Sequence, residues 1–167
     1  NGADAFVSDL PKELKNKGVI FTDMITAVKE HKDKLVNYFT HDWKNKFEAF
    51  NAAFFANGVF IYVPETVEIE TPFRKIHLDD GKNASSRSII LGADNSKFKI
   101  IEESYSVNGK TSLVTAVTDV HLGKGCGIVF GGVQNFANKV INADTKRCFC
   151  DNGSRMSWNI GMFGGRL

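Results

Sequence analysis

No long run of lysine and arginine occurs in this chain, and its formal net charge is only +2. Nucleic-acid binders cluster basic side chains on one face, so the sequence offers no electrostatic case for such a partner. Apolar runs are short as well. None approaches the length needed to cross a bilayer, and no membrane association is expected. The first residues, Asn1 to Phe6, lack the charged start and apolar run of a secretory leader. The chain does not begin with Met, which suits a processed or trimmed protein. Cysteine is sparse and odd in number, at Cys126, Cys148 and Cys150. On an extended strand Cys148 and Cys150 point to the same side and are badly placed to bridge each other. Free thiols in a reducing compartment follow, and a cytoplasmic location is expected. Proline is rare at 3 residues, whereas Phe (14) and Gly (15) are plentiful. The first fills cores and the second suits tight turns.

Two kinds of periodicity divide the 167 residues. In the first part Met24, Ile25, Val28, Leu35, Val36 and Phe39 recur near helical spacing, with Thr22 as the expected N-cap and a break near Lys32-Asp33. A further helix is expected from Asn45 to Ala56, with Phe47, Phe50, Phe54 and Phe55 on one side and a stop at Asn57-Gly58. Residues 1–57 therefore read as a helical N-terminal region. From Gly58 onward the period becomes two. Strands are expected at Val59–Val63, Val67–Glu70, Ser88–Leu91, Phe98–Ile101, Leu113–Leu122, Cys126–Phe130, Val140–Cys150 and Met156–Ile160. The turns that end the strong strands begin at Pro64, Gly92, Gly123 and Asp151, at intervals of 28, 31 and 28 residues. A near-constant period of this size points to stacked coils, each burying its inward face on the next. Residues 58–167 thus read as a β-solenoid, in a mainly β protein with a helical lead-in. The helices can cap the first coil. Nothing caps the last, because the chain stops at Phe163-Gly164-Gly165-Arg166-Leu167, as expected of a fragment of a longer protein.

Local motifs carry little chemistry. Gly109-Lys110-Thr111 resembles the tail of a phosphate-binding loop, but Ser104 stands where the required glycine should be and a strand follows. Gly123-Lys124-Gly125-Cys126-Gly127 opens a strand and reads as a tight corner. His31, His41, His77 and His121 show no ligand spacing. Glu102 and Glu103 are adjacent on a strand, so they face opposite sides and cannot flank one substrate bond; a solvated strand end accounts for them. Cys148-Phe149-Cys150 puts two thiols on one face, able to ligate a soft metal or pass a sulfur atom. Two small residues facing the solenoid interior is the plainer account. Lys146 shares their face and Arg147 does not.

Read in order, several segments resemble the SufB/SufD family of iron–sulfur cluster assembly scaffolds. Gly18-Val19-Ile20-Phe21-Thr22-Asp23 and Ala27-Val28-Lys29-Glu30-His31 look like its helical lead-in. The run from Phe50 to Pro64, with its Tyr62-Val63-Pro64 corner, is the most specific stretch. Ser86 to Ile90, Val133 to Phe136, Thr145 to Arg147 and Trp158 to Gly165 follow in the family's order. The resemblance implies a right-handed parallel β-helix after a helical region, with the family's C-terminal helical domain lacking. It implies no enzyme activity but a scaffold role with a SufC-type ABC ATPase and a SufB or SufD paralog, or a second copy. The iron–sulfur cluster would be assembled transiently on the complex and not held by this part alone. In SufB-type members a sulfur-accepting cysteine lies where Ser104 stands here, which favours a SufD-like reading. Gln134, Phe136 and Lys146 match positions near the family's proposed sulfur path, with Phe136 in place of a tryptophan. Cys148 and Cys150, and with them Cys126, remain thiol candidates only. The alternatives are a structural β-solenoid, or a solenoid carbohydrate-active protein, which should show clustered carboxylates on one outer face.

Overall fold

The computed structural model describes residues 10–39 and 44–166. The N-terminal residues Asn1 to Phe6, His41 and the closing Leu167 lie outside the described residues. Among the described residues the lead-in holds helices α1 (Lys12–Asn16), α2 (Met24–Glu30), α3 (Lys32–Leu35) and α4 (Lys46–Phe54), and one strand, β1 (Ile20–Asp23). The body consists of β2 (Val59–Val63), β3 (Phe73–Asp79), β4 (Ala84–Gly92), β5 (Lys97–Ser106), β6 (Ser112–Leu122), β7 (Gly127–Asn135), β8 (Val140–Cys150) and β9 (Arg155–Met162).

These strands form the expected β-solenoid. One sheet runs β1-β2-β4-β6-β8 and the other β3-β5-β7-β9, and every pairing is parallel except that of β1 with β2. Each coil gives one strand to each sheet. In the first sheet Phe60 lies beside Ile89, Ile89 beside Asp119 and Asp119 beside Arg147. Alternation sends Ile61, Val63, Ile90, Val120 and Leu122 inward, where they meet Phe73, Phe98, Ile100, Ile128 and Phe130 of the second sheet in one apolar core. Burial of this shared face holds the coils on one another.

The corners repeat as closely as the strands. Thr66, Asn95, Gly125 and Gly153 occupy the same rung of successive coils, with φ of 61°, 59°, 65° and 71°. Each turn also bonds to the next: Thr66 N donates to Asp94 O at 2.9 Å, Asn95 N to Lys124 O at 2.8 Å and Gly125 N to Asn152 O at 3.0 Å. The corner backbone is thereby satisfied without leaving the ladder. The glycine-dense segment around Gly125 is one of these corners, as its sequence suggests.

Three local expectations are corrected. The segment Val67–Glu70 contributes only an isolated bridge, Glu68 to Lys97, and β3 provides the strand of that coil instead. β3 escapes a hydropathy reading because its outward residues Ile76 and Leu78 are apolar and exposed while Lys75 and His77 face inward. The N-cap of α2 is Asp23, whose side chain accepts from Thr26 N at 2.8 Å. Thr22 is held one residue earlier in β1, opposite Phe60. In α4 the phenylalanines do not form the buried face. Phe47, Phe50 and Phe54 are exposed, and Glu48 and Asn51 are buried. The surface beneath α4 is polar, carrying Ser85, Thr115, Asp119 and Arg147, so the helix turns its polar side down.

The helices cover the outer face of the first sheet. Met24, Ala27 and Leu35 pack on Phe60, Ile89 and Leu91. The chain passes from α4 into β2 at Gly58, whose φ is 135° and whose carbonyl accepts from Met24 N at 3.0 Å. A Cβ here would collide with the backbone carbonyl of Arg87. Gly58→Ala is therefore expected to lower the unfolding free energy by about 2–4 kcal/mol, read as a fall in the denaturant midpoint at unchanged slope.

Candidate functional site

Beyond the apolar core the interior turns polar. The inward positions of β3, β5 and β8 there are Lys75, Glu102, Asp144 and Lys146, side chains that an enclosed space accepts only when paired. Glu102 lies between two lysines. Lys75 Nζ donates to Glu102 Oε2 at 3.0 Å, and Lys146 Nζ donates to Glu102 Oε1 at 2.6 Å. Lys146 also reaches Asp144 Oδ2 at 2.8 Å, and Lys75 reaches Ser88 Oγ at 3.2 Å. Lys75, Glu102, Asp144 and Lys146 line a cavity of about 210 Å³ together with His77, Ser104, Gln134, Phe136 and Asn142. Gln134 Nε2 donates to Gly164 O at 2.6 Å, and its carbonyl accepts from Asn142 Nδ2 at 3.0 Å. The ring of Phe136 stands edge-on to His77, with centroids 6.0 Å apart.

Gln134, Phe136 and Lys146 thus line the same cavity, drawn from β7, the turn after it and β8 of the facing sheet. Ser104 joins them, directly beside Gln134 in the second sheet. Glu102 departs from its expected place. It is 8% exposed, inside the coil and not at a solvated strand end. Its parity with the inward Phe98 and Ile100 is the signal that would have placed it. Glu103 does face outward, accepting from Arg74 Nε at 2.6 Å and from Tyr105 Oη at 3.0 Å.

The electrostatics follow from this geometry. Burial by itself raises the pKa of Glu102, but the charges of Lys75 and Lys146 and their hydrogen bonds outweigh it and bring the value from 4.5 down to about 2. A depressed carboxylate pKa contributes stability that is complete above the unfolded value and is lost as pH falls through the folded one. Acid titration is expected to remove about 3 kcal/mol of unfolding free energy between pH 4.5 and 2 through this group. Denaturant melts of wild type and Glu102→Gln across that range check it, since the variant should lack this part of the pH dependence.

The cysteines lie apart from the cavity. Cys126 is buried in the apolar core, its Sγ 3.2 Å from Ser96 Oγ, and burial raises its thiol pKa. Cys148 packs against the same core and Cys150 is exposed, with their sulfurs 3.5 Å apart. Burial, then the hydrogen bond with Cys150, pushes the Cys148 thiol up to about 12. Among the described residues no group of three or more His, Cys, Asp or Glu side chains is placed to hold a metal ion. His77 lines the cavity, and His121 stacks on Phe149 at 4.5 Å outside it. No described helix is long and apolar enough to cross a membrane.

Residues 76–167 match the family described as the SufBD core domain of the SUF system for FeS cluster assembly, and residues 3–74 match the SufBD protein N-terminal region. The chain belongs to the SufBD family. Similar proteins include the iron–sulfur cluster assembly protein SufD of Bacillus subtilis, 31% identical over 161 residues, covering 92% of this chain and 37% of the relative. SufBD family iron–sulfur cluster assembly proteins of Staphylococcus epidermidis and Staphylococcus aureus are each 32% identical over 165 residues, covering 95% of this chain and 36% of the relative. The chain spans little more than a third of the length of these relatives. Within the SufBD family, then, the described part of this chain is the helical lead-in and the β-solenoid.

Proposed function

We propose that the chain is the N-terminal and β-solenoid part of a SufD-type scaffold subunit, and that its interior cavity is a sulfur-handling lane. Iron and sulfide are cargo in this reading, and the cluster is finished elsewhere on the assembled complex. The observation that carries it is the polar cavity of about 210 Å³ bearing Lys146, Gln134 and Phe136 beyond the apolar core of the coil. Ammonium and amide donors there are suited to a soft anion such as hydrosulfide or a persulfide terminus, which an apolar interior would repel. Ser104 supplies no thiol at the position where SufB-type relatives carry one, so this subunit would line the lane without taking the sulfur covalently. That supports the SufD-type assignment.

The subunit performs no turnover of its own on this reading. A SufC-type ABC ATPase supplies the energy, and a SufB-type paralog, or a second copy, completes the scaffold in the cytoplasm. The carbohydrate-active alternative draws no support from the surface: the outward-facing Glu68, Glu70 and Glu103 pair with Lys97, Lys99 and Arg74 at 2.6, 3.0 and 2.6 Å. Anaerobic purification of the tagged full-length protein from its own cells tests the scaffold reading. Recovery of an ATPase of the ABC class and a related solenoid subunit is expected, with iron and acid-labile sulfide falling in a Lys146→Met variant that still binds both partners. A protein recovered alone, without iron or sulfide, would overturn the reading.

A further inference from the structure

One polar side chain deep in the coil is left without a partner. Thr118 points inward from β6, between Ala116 of the polar cavity and Val120 of the apolar core. It is 1% exposed, and its hydroxyl makes no hydrogen bond among the described residues. With Lys75, Ser88 and Glu102 it lines a second, smaller space of about 10 Å³, backed by apolar side chains that include Ile100 and Phe130. No residue of β8 or β9 borders this space, so it lies within the first three coils and not at the end of the described chain.

Donors outnumber acceptors around it. Ser88, beside Thr118 in the sheet, accepts through Oγ from Val59 N at 3.4 Å and from Lys75 Nζ at 3.2 Å, so its own proton is left to donate. Lys75 has three N–H bonds and spends two of them, on Ser88 and on Glu102 Oε2 at 3.0 Å. With the Thr118 hydroxyl, three donors border one space and await an acceptor. The ammonium at its wall repels a cation, and the volume suits a single molecule the size of water. Polar spaces of that size fill, whereas those that stay empty are apolar. We propose that this space is a built site for one water molecule, which accepts from the Thr118 hydroxyl and the third N–H of Lys75 and donates to Glu102. Thr118 is then a positioning residue. Through the water it fixes the ammonium and the carboxylate that also line the larger cavity, without bordering that cavity itself.

The site is independent of the sulfur lane and of the scaffold partners. Crystal structures of the full-length wild type and of Thr118→Val test it directly. Electron density for a water within hydrogen-bond reach of Thr118 Oγ1 is expected in the wild type and is expected to be lost in the variant. Unfolding in denaturant supplies a second test, because the sign of the change differs between a filled and a dry space. Valine keeps the shape of threonine and removes the hydroxyl. Where water is bound, Thr118→Val takes away one of its partners and should lower the midpoint at neutral pH with unchanged slope. A dry space would make the same substitution neutral or stabilising, since an unpaired buried hydroxyl disappears. The charged groups facing Glu102 are Lys75 of β3 and Lys146 and Asp144 of β8, with His77 of β3 further along the larger cavity, and the substitution leaves all of them in place. Loss of the bond donated by water raises the carboxyl pKa of Glu102 from its depressed value. The midpoint deficit of Thr118→Val should therefore be full at neutral pH and shrink as pH falls through the carboxyl range. In a Glu102→Gln background that pH-dependent part should vanish. A wild-type structure without density at this place would overturn the proposal. So would density that persists unchanged in Thr118→Val, or a variant midpoint equal to or above the wild type at neutral pH.

Discussion

Glu102→Ala is expected to destabilise the solenoid by about 3–5 kcal/mol, the cost of leaving buried cations without their carboxylate. Lys75 and Lys146 both donate to Glu102 from within the coil. Of the two, Lys146 keeps a second carboxylate in Asp144, at 2.8 Å. The loss should therefore fall more heavily on Lys75, left with the Ser88 hydroxyl. Replacing the three charges together, as Lys75→Met, Glu102→Leu and Lys146→Met, should recover most of the stability, because an apolar set of similar volume has no desolvation to offset. Denaturant unfolding of the single and triple variants measures this. The triple variant also separates fold from function: a stable coil with a dry interior should fail to support cluster assembly if the lane carries sulfur.

The second large effect lies outside the coil, beneath α4. Asp119 is fully buried and accepts from Arg87 Nη2 at 2.8 Å and from Arg147 Nε at 2.7 Å. Arg147 continues through Nη1 to Glu48 of α4 at 2.8 Å. Asp119→Ala strips Arg87, itself 1% exposed, of its carboxylate and should cost about 3–5 kcal/mol. Glu48→Ala should cost less, because Arg147 retains Asp119 and is partly open to water. The ordering of the two midpoints in one unfolding series decides it. A Glu48 variant as damaging as the Asp119 variant would mean that docking of α4, and not the carboxylate under it, holds this face.

The coil period was legible because the corner chemistry repeats. Pro64, Gly92, Gly123 and Asp151 mark turns whose left-handed rung is filled by Thr66, Asn95, Gly125 and Gly153. Two of those residues tolerate that conformation freely, and the spacing shows through unlike sequences. β3 was not legible, because hydropathy assumes that apolar side chains point inward, and Ile76 and Leu78 do the opposite. Glu102 was misplaced for the same reason: no pattern of polarity says that a charge will be buried opposite two partners lying 27 and 44 residues away in sequence. The orientation of α4 depended on the polar surface it meets, assembled from β4, β6 and β8, which no local periodicity contains. Gln134, Phe136 and Lys146 were singled out through family resemblance, and parity along β7 and β8 alone would have put Gln134 and Lys146 on the inner side.

Stacked coils ordinarily behave as a one-dimensional chain, in which each rung feels only its neighbours and the terminal rung frays first. The contact of Glu48 with Arg147 changes that, because it joins residues 99 apart in sequence. It raises the contact order of a protein whose parallel strand pairings span only about thirty residues, which slows folding. It also straps α4 across the outer face of the first sheet, so that opening β8 requires releasing α4 from it. Unfolding is thereby made more nearly all-or-none than the repeat alone would allow.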